Sequence, residues 1–317
     1  SQYFQLVDRV HLSGGGEPIL HSRLLDMIKI AKATGCIIGF TTNGSLLTKS
    51  FSEKVMELGL DTLIVSIDGA TKEVFENVRV GLKFEKTIEN LKNFIEIKHR
   101  QKRKKPIVYI SFLMNKINII ELPMVVDLAK ELQADQIVAT NLDIPIQKGL
   151  SLIACNGKAP SEAIKSIEEA RRRAKRLGLP FHAHSLELSQ VPICEDNPLS
   201  NIVFTWEGFV APCVYASAPF KNIPRIFCDG EYLIPRVIFG DISKDGLMDI
   251  WNRKDYKNFR EYYKKRLEIF DFLGALKLED GYINLESLRE EAKKAKEILK
   301  QMPLPSICET CHRAYGT

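Results

Sequence analysis

Val7-Asp8-Arg9-Val10-His11-Leu12-Ser13-Gly14-Gly15-Gly16-Glu17-Pro18 is the stretch on which the fold turns. Val7, Val10 and Leu12 predict a short strand. Three glycines follow, then an acid. Glycines at the C-terminal end of a strand let a ligand approach the backbone closely. A carboxylate at the same mouth suits a cationic group such as an amine. A glycine turn can also do no more than end a strand, so its meaning depends on what surrounds it.

Strands and helices alternate downstream. Apolar spacing predicts a helix over 24–33, closed by Gly35, then a buried strand over 36–40 ended by Thr41-Thr42-Asn43-Gly44. A helix over 51–58 and a strand over 62–67, ended by Asp68-Gly69, come next. Helices are predicted over 84–97, 119–132 and 161–177, and strands over 107–114 and 136–140. Five short, β-branched strands alternating with helices predict a parallel sheet buried on both faces, hence α/β, either a barrel or an open sheet. Both put binding residues at the C-terminal strand ends. Gly15, Gly16, Glu17, Thr42, Asn43, Ser66, Asp68, Asn115 and Asn141 then share one rim.

From about residue 180 the alternation stops. Residues 202–206, a Glu207-Gly208 turn and 209–211 predict a hairpin, and a helix is expected over 285–302 with Leu288, Ala292, Ala295, Leu299 and Met302 on one face. This region carries Cys194, Gly208 and Cys213 in the frame C-x13-G-x4-C, then Cys308-Glu309-Thr310-Cys311. A C-x-x-C step aims two thiolates at one centre, and a second pair can close a four-sulfur site. Such a site serves a [4Fe–4S] cluster or a structural zinc. Of the seven cysteines, Cys36 falls in a buried strand and reads as packing, while Cys155 and Cys228 fall on loops as ligands or free thiols. His182, His184 and His312 read as structural or surface residues, and Trp206 and Trp251 as core.

The 317 residues are 45% hydrophobic and 27% charged, ordinary for a globular chain. A net charge of +5 resides largely in the runs at 98–105 and 171–173, which read as a solvated loop and a helix face rather than a nucleic-acid surface. No apolar run approaches the roughly 20 residues of a membrane span. Cysteines without secretory features point to a reducing, cytoplasmic setting.

Together these residues resemble the radical S-adenosylmethionine (radical SAM) family. Ser13-Gly14-Gly15-Gly16-Glu17-Pro18 resembles its GGE motif, Thr41-Thr42-Asn43-Gly44 its TNG turn, Val65-Ser66-Ile67-Asp68-Gly69 its S-x-D-G turn, and Asn118 with Glu121 its N-x-x-E step. The cysteine frame, Phe239-Gly240-Asp241-Ile242, Asp249-Ile250-Trp251-Asn252 and Tyr256 with Phe259-Arg260 resemble the SPASM/twitch extension. The order of the motifs carries more weight than any one of them.

The resemblance implies a partial (β/α)6 barrel lacking its first unit over 1–179 and an α+β SPASM/twitch-like domain over 180–317. It implies that Gly15, Gly16 and Glu17 bind the amino group of S-adenosylmethionine, that Thr42 and Ser66 contact its methionine or ribose part with Asn43 and Asp68 assisting, and that Cys194, Cys213, Cys308 and Cys311 ligate one auxiliary [4Fe–4S] cluster. The family's C-x-x-x-C-x-x-C motif, which holds the SAM-cleaving [4Fe–4S] cluster, is not in the sequence; the expectation is an N-terminally incomplete chain whose missing segment carries it. Residues 261–307 are longer than the family's usual link. The implied activity is reductive cleavage of S-adenosylmethionine to a 5′-deoxyadenosyl radical that takes hydrogen from a peptide or small-molecule substrate, with an electron donor such as flavodoxin or ferredoxin and with neither membrane nor nucleic acid as partner. The contrasting class is a non-catalytic Fe–S or zinc binding protein that retains the barrel.

Overall fold

The computed structural model describes residues 4–142, 150–155, 158–228, 230–275 and 285–317. Packing divides them into two units. One takes the described residues up to 142, then 150–152 and 158–184; the other takes 153–155 and the described residues from 185 to 317.

In the first unit six strands form one sheet: β1 (Arg9–Leu12), β2 (Ile37–Thr42), β3 (Thr62–Ser66), β4 (Ile107–Met114), β5 (Gln136–Asn141) and β6 (Phe181–Ala183). They lie side by side in chain order and every pair is parallel. Parallel neighbours need crossover connections. These are α1 (Leu24–Ala33), α2 (Lys49–Glu57), α3 (Lys72–Val78) with α4 (Phe84–Arg100), α5 (Leu122–Glu131) and α6 (Ser161–Leu177). The helices begin and end where their caps allow. Thr48 and Thr71 accept hydrogen bonds from Phe51 N and Val74 N, and Gly178 ends α6 at φ +61°. Each helix buries one stripe, such as Ile88, Leu91, Phe94 and Ile95 of α4. Full burial of such a side chain contributes about 1.5–3 kcal/mol.

Two details depart from the sequence reading. The sheet has a sixth strand after α6, so it runs past residue 179. And the strands are not buried on both faces. Val108, Ile110, Phe112 and Met114 of β4 are fully buried, while Ile107, Tyr109, Ser111 and Leu113 are half-exposed; β5 alternates likewise. Helices cover one face, and the other carries Thr41, Thr62 and Ser111 as well as apolar residues. A run of β-branched residues hides this asymmetry, because hydropathy does not say which neighbours exist.

Asp61 ties the base of the sheet. Its carboxylate accepts from Ile38 N (3.0 Å), Lys32 Nζ (2.8 Å) and Lys105 Nζ (2.6 Å), and its carbonyl accepts from Ile107 N (2.9 Å). One residue thus links α1, β2 and the start of β4.

The second unit is α+β. A three-stranded antiparallel sheet has β8 (Phe209–Ala211) between β7 (Val203–Phe204) and β11 (Gly240–Asp241); β9 (Asn222–Phe227) and β10 (Gly230–Pro235) make a hairpin. Three helices follow, α7 (Leu247–Trp251), α8 (Lys254–Ala275) and α9 (Leu285–Gln301). Phe239 and Tyr256 stack at 4.1 Å over Val210 and Ile250. Trp251 is half-buried, with the Arg260 guanidinium 3.8 Å from its ring centre. Trp206, expected in the core, is 87% exposed, because it stands at the hairpin turn where no second layer covers it among the described residues. The described parts of the long link after Arg260 include the rest of α8 and α9. Buried Arg266 of α8 donates to Met302 O (2.9 Å) and Val191 O (3.0 Å), and Ala295 and Leu299 of α9 are buried. The side chains of 270–289, 291 and 292 lie outside the described residues, and with them the run Phe270-Asp271-Phe272-Leu273 and the expected positions of Leu288 and Ala292. Among the described residues no helix is long and apolar enough to cross a membrane.

Candidate functional site

The C-terminal ends of β1 and β2 are laced together. Thr41 N donates to Ser13 Oγ (3.0 Å), and His11 Nε2 and Thr41 Oγ1 share a hydrogen bond of 3.0 Å. Glu17 is the central clamp. Its Oε1 accepts from Thr42 Oγ1 (2.7 Å) and Ile19 N (3.1 Å), and its Oε2 accepts from Asn43 N (2.7 Å). A carboxylate offers about four acceptor positions. Among the described residues three are filled, which leaves room on Oε2 for one more donor. Ahead of it, a Cβ built on Gly14, Gly15 or Gly16 meets nothing within 4 Å, and all three residues are exposed. These glycines leave an open cradle of bare backbone beside a carboxylate, which suits an ammonium-bearing ligand.

The second turn is fixed just as firmly. Gly44 N donates to Thr42 Oγ1 (3.1 Å), while Ser45 N and Oγ donate to Asn43 Oδ1 (2.9 and 2.6 Å). Asn90 of α4 donates to Gly44 O and Ser45 O. Gly44 has φ +77°, and a Cβ there would lie 3.0 Å from Thr87 Cγ2, so only glycine fits. The Asn43 side chain is therefore committed to its own turn.

At the ends of β3 and β4, Ser66 is buried beside Ser111. Asp68 is 1% exposed; it pairs with Arg79 and accepts from Leu113 N (2.7 Å). Burial pushes its carboxyl up, against the pull of the Arg79 guanidinium and the Leu113 N–H. Asn118 donates to Asp68 O (3.1 Å) and Leu113 O (2.9 Å), and Glu121 accepts from Ala70 N (2.7 Å), Thr71 N (3.1 Å) and Thr71 Oγ1 (2.6 Å). The N-x-x-E step thus fastens the β3 turn to the β4–α5 link. Asn115 is buried and hydrogen-bonded to Leu113 O and Ile117 N, and Asn141 is buried at the end of β5. Of the seven ligand candidates, Glu17 and Thr42 form the clamp, Asn43 and Asp68 brace the rim, Gly15 and Gly16 are exposed, and Ser66 is buried.

In the second unit the four cysteines of the motif converge. Cys308 packs with Cys213 and Cys311 in one cluster, and the thiols of Cys194 and Cys308 sense each other's charge, as do Cys194 and Cys311. Burial raises the Cys194 thiol to about 11, with Asp196 and Cys311 adding to it, and the Cys308 thiol to about 12. Cys213 is pushed well above the usual range by burial, with Asp196, Cys308 and Cys311 adding to it. Thiols raised in this way are stabilised as thiolates by a polycationic core, and uptake releases their protons. A four-thiolate site of this kind suits a [4Fe–4S] cluster or a zinc ion.

Sequence reading missed the groups around these thiols. Tyr263 of α8, 1% exposed, donates its hydroxyl to Cys308 Sγ at 3.0 Å. Arg225, 8% exposed, donates to Ile307 O and pulls the Cys308 thiol down against burial. A tyrosine in an apolar helix stripe and a lone arginine in a strand give no signal of their own. Cys155 and Cys228, left open as ligands or free thiols, form a disulfide. Cys36 is buried and donates to Phe4 O and Val7 O, a packing role.

Residues 4–129 match the model of the radical SAM superfamily, and residues 194–269 that of an iron–sulfur cluster-binding domain, SPASM. The chain is 24% identical to the tungsten-containing aldehyde ferredoxin oxidoreductase cofactor-modifying protein of Pyrococcus furiosus, over 84% of this chain and 73% of that one. Two solved structures share the fold. SuiB of Streptococcus suis bound to S-adenosylmethionine superposes with a TM-score of 0.57 at 16% identity, over 78% of this chain; the chain spans 56% of SuiB's length. Native anSMEcpe with bound AdoMet gives a TM-score of 0.53 at 15% identity, over 94% of this chain and 86% of that one.

Proposed function

The chain belongs to the radical SAM superfamily through residues 4–129 and to the SPASM iron–sulfur family through residues 194–269, and on that premise we propose that it works in hydrogen-atom abstraction from a peptide or small-molecule substrate with one auxiliary [4Fe–4S] cluster. When bound, S-adenosylmethionine and its reduced cluster supply a 5′-deoxyadenosyl radical able to attack an unreactive C–H bond. The chain's own residues supply placement. The Gly14–Gly16 backbone and the open Oε2 position of Glu17 hold the ligand's ammonium, and Thr42 and Ser66 line the methionine or ribose part. Asp68, Asn118 and Glu121 keep these groups in register. Cys194, Cys213, Cys308 and Cys311 hold the auxiliary cluster, with the Tyr263 hydroxyl on one sulfur. A small reducing protein such as flavodoxin or ferredoxin is the proposed donor.

The observation that carries this reading is the Glu17 clamp, which joins an open glycine cradle to the Thr42-Asn43 turn in a chain that also gathers four thiols. Anaerobic reconstitution of the full coding frame, followed by chromatography for 5′-deoxyadenosine, is the test. Product that depends on reductant and on S-adenosylmethionine supports the proposal. Loaded protein that neither binds S-adenosylmethionine in calorimetry nor forms product, with candidate substrates present, favours a non-catalytic cluster protein instead.

A further inference from the structure

We propose that Cys155, Cys228 and His312 form a second metal site in the C-terminal unit, one that takes a thiophilic divalent cation such as Zn2+ once the two cysteines are reduced. The two sulfurs and an imidazole nitrogen lie within 4.8 Å of one another. None of the three belongs to the four-thiol centre. Two thiolates and a neutral imidazole are the donors zinc prefers, and around a tetrahedral ion such donors stand about 3.5–3.8 Å apart. Opening the sulfur–sulfur bond lets the two thiolates separate toward that spacing.

Each donor sits on pinned backbone. Cys155 follows Ala154, whose N–H donates to Leu186 O (2.7 Å) and which bridges Glu187. Cys228 directly follows β9 on the way to β10, with φ +56°. Hairpin links of that conformation favour asparagine or glycine. A cysteine there is placed against backbone preference, which points to a use for its sulfur. His312 is 3% exposed, and its ring lies 4.8 Å from that of Phe227, so the hairpin that carries Cys228 also orients the imidazole. His312 directly follows Cys311, and the same short turn serves both centres.

The redox balance is simple. The reducing conditions an iron–sulfur protein works in favour the dithiol. A small dithiol attacks the Cys155–Cys228 bond, passes through a mixed disulfide and leaves as its cyclic disulfide, with two cysteine thiols formed. Zinc then displaces one proton from each thiol and takes a nitrogen lone pair from neutral His312, and water fills the fourth position.

The test uses anaerobic holoprotein whose four-thiol centre is already loaded with iron and sulfide. Zinc sulfate is added before and after treatment with dithiothreitol, the protein is desalted, and zinc and iron are measured together. About one zinc per chain is expected after reduction and about a tenth of that before it. The Cys155→Ser/Cys228→Ser protein should lose the zinc, and His312→Gln should bind it at least tenfold more weakly, both with iron unchanged. Zinc K-edge absorption should show two sulfurs. Equal zinc in the reduced parent and the double variant overturns the proposal, as does a reduced parent with two titratable thiols and no zinc; the pair is then a disulfide staple only. Iron in the same sample reports separately on the cluster.

Discussion

Glu17 shows how much one carboxylate can do at a strand end. Its two oxygens accept from Ile19 N, Thr42 Oγ1 and Asn43 N, and so hold two strand ends together. Glu17→Gln keeps the shape but turns half the clamp into a donor, facing either the Asn43 N–H or the Thr42 hydroxyl. A hydrogen bond to a charged group contributes about 1.5–3 kcal/mol, so S-adenosylmethionine affinity is expected to fall at least tenfold in calorimetry, with the circular dichroism spectrum unchanged. Parent-like affinity would remove Glu17 from the binding site. Tyr263 acts at the same scale. Its hydroxyl stabilises negative charge on Cys308 Sγ, and the reduced cluster carries more of that charge. Tyr263→Phe is expected to make the auxiliary midpoint potential more negative by tens of millivolts in an EPR-monitored titration, on the order of 1 kcal/mol. An unmoved potential with full iron content would make Tyr263 packing only.

At the scale of elements, buried charges decide how strands and helices meet. Asp68 joins the β3 turn to β4 and to Arg79 at the end of α3. Asp68→Asn leaves Arg79 without its partner and is expected to cost about 2–4 kcal/mol in urea unfolding; a loss under 0.5 kcal/mol would refute the brace. Asp61 gives a pH signature. Burial alone would raise its carboxyl, but hydrogen bonds from Lys105, Lys32 and Ile38 N prevail and hold it below the usual range. A lowered carboxylate stabilises the fold above its unfolded value, about 3.9, and that contribution disappears as pH falls through the folded value. The urea midpoint of the parent is therefore expected to drop more steeply below pH 4 than that of Asp61→Asn. Parallel curves would contradict this.

For the whole molecule, the four-thiol centre is the test of assembly, because its ligands come from widely separated stretches of chain. The match to the iron–sulfur family ends at residue 269, before Cys308 and Cys311. Cys308→Ser should drop bound iron from about four per chain to less than one and remove the absorbance near 400 nm. Retained iron would mean that other residues hold the cluster.

The alternation of strands and helices, the strand-end positions of the rim and the cysteine frame are legible in residue order alone. Each is written in local periodicity or in the spacing of a few chemically distinctive residues. Residue order did not reveal that β6 joins the sheet, since three residues carry no periodicity, nor that alternate residues of β4 and β5 are only partly buried, since hydropathy is silent on neighbours. Folding was needed to show that Asn43, Asp68, Asn118 and Glu121 hydrogen-bond to the turns and strand ends of the rim. It alone brought Tyr263 to Cys308, and Cys155 and Cys228 to His312. A hydrogen bond or a shared ligand sphere between residues many positions apart depends on where packing puts the backbone, and no local pattern encodes that distance.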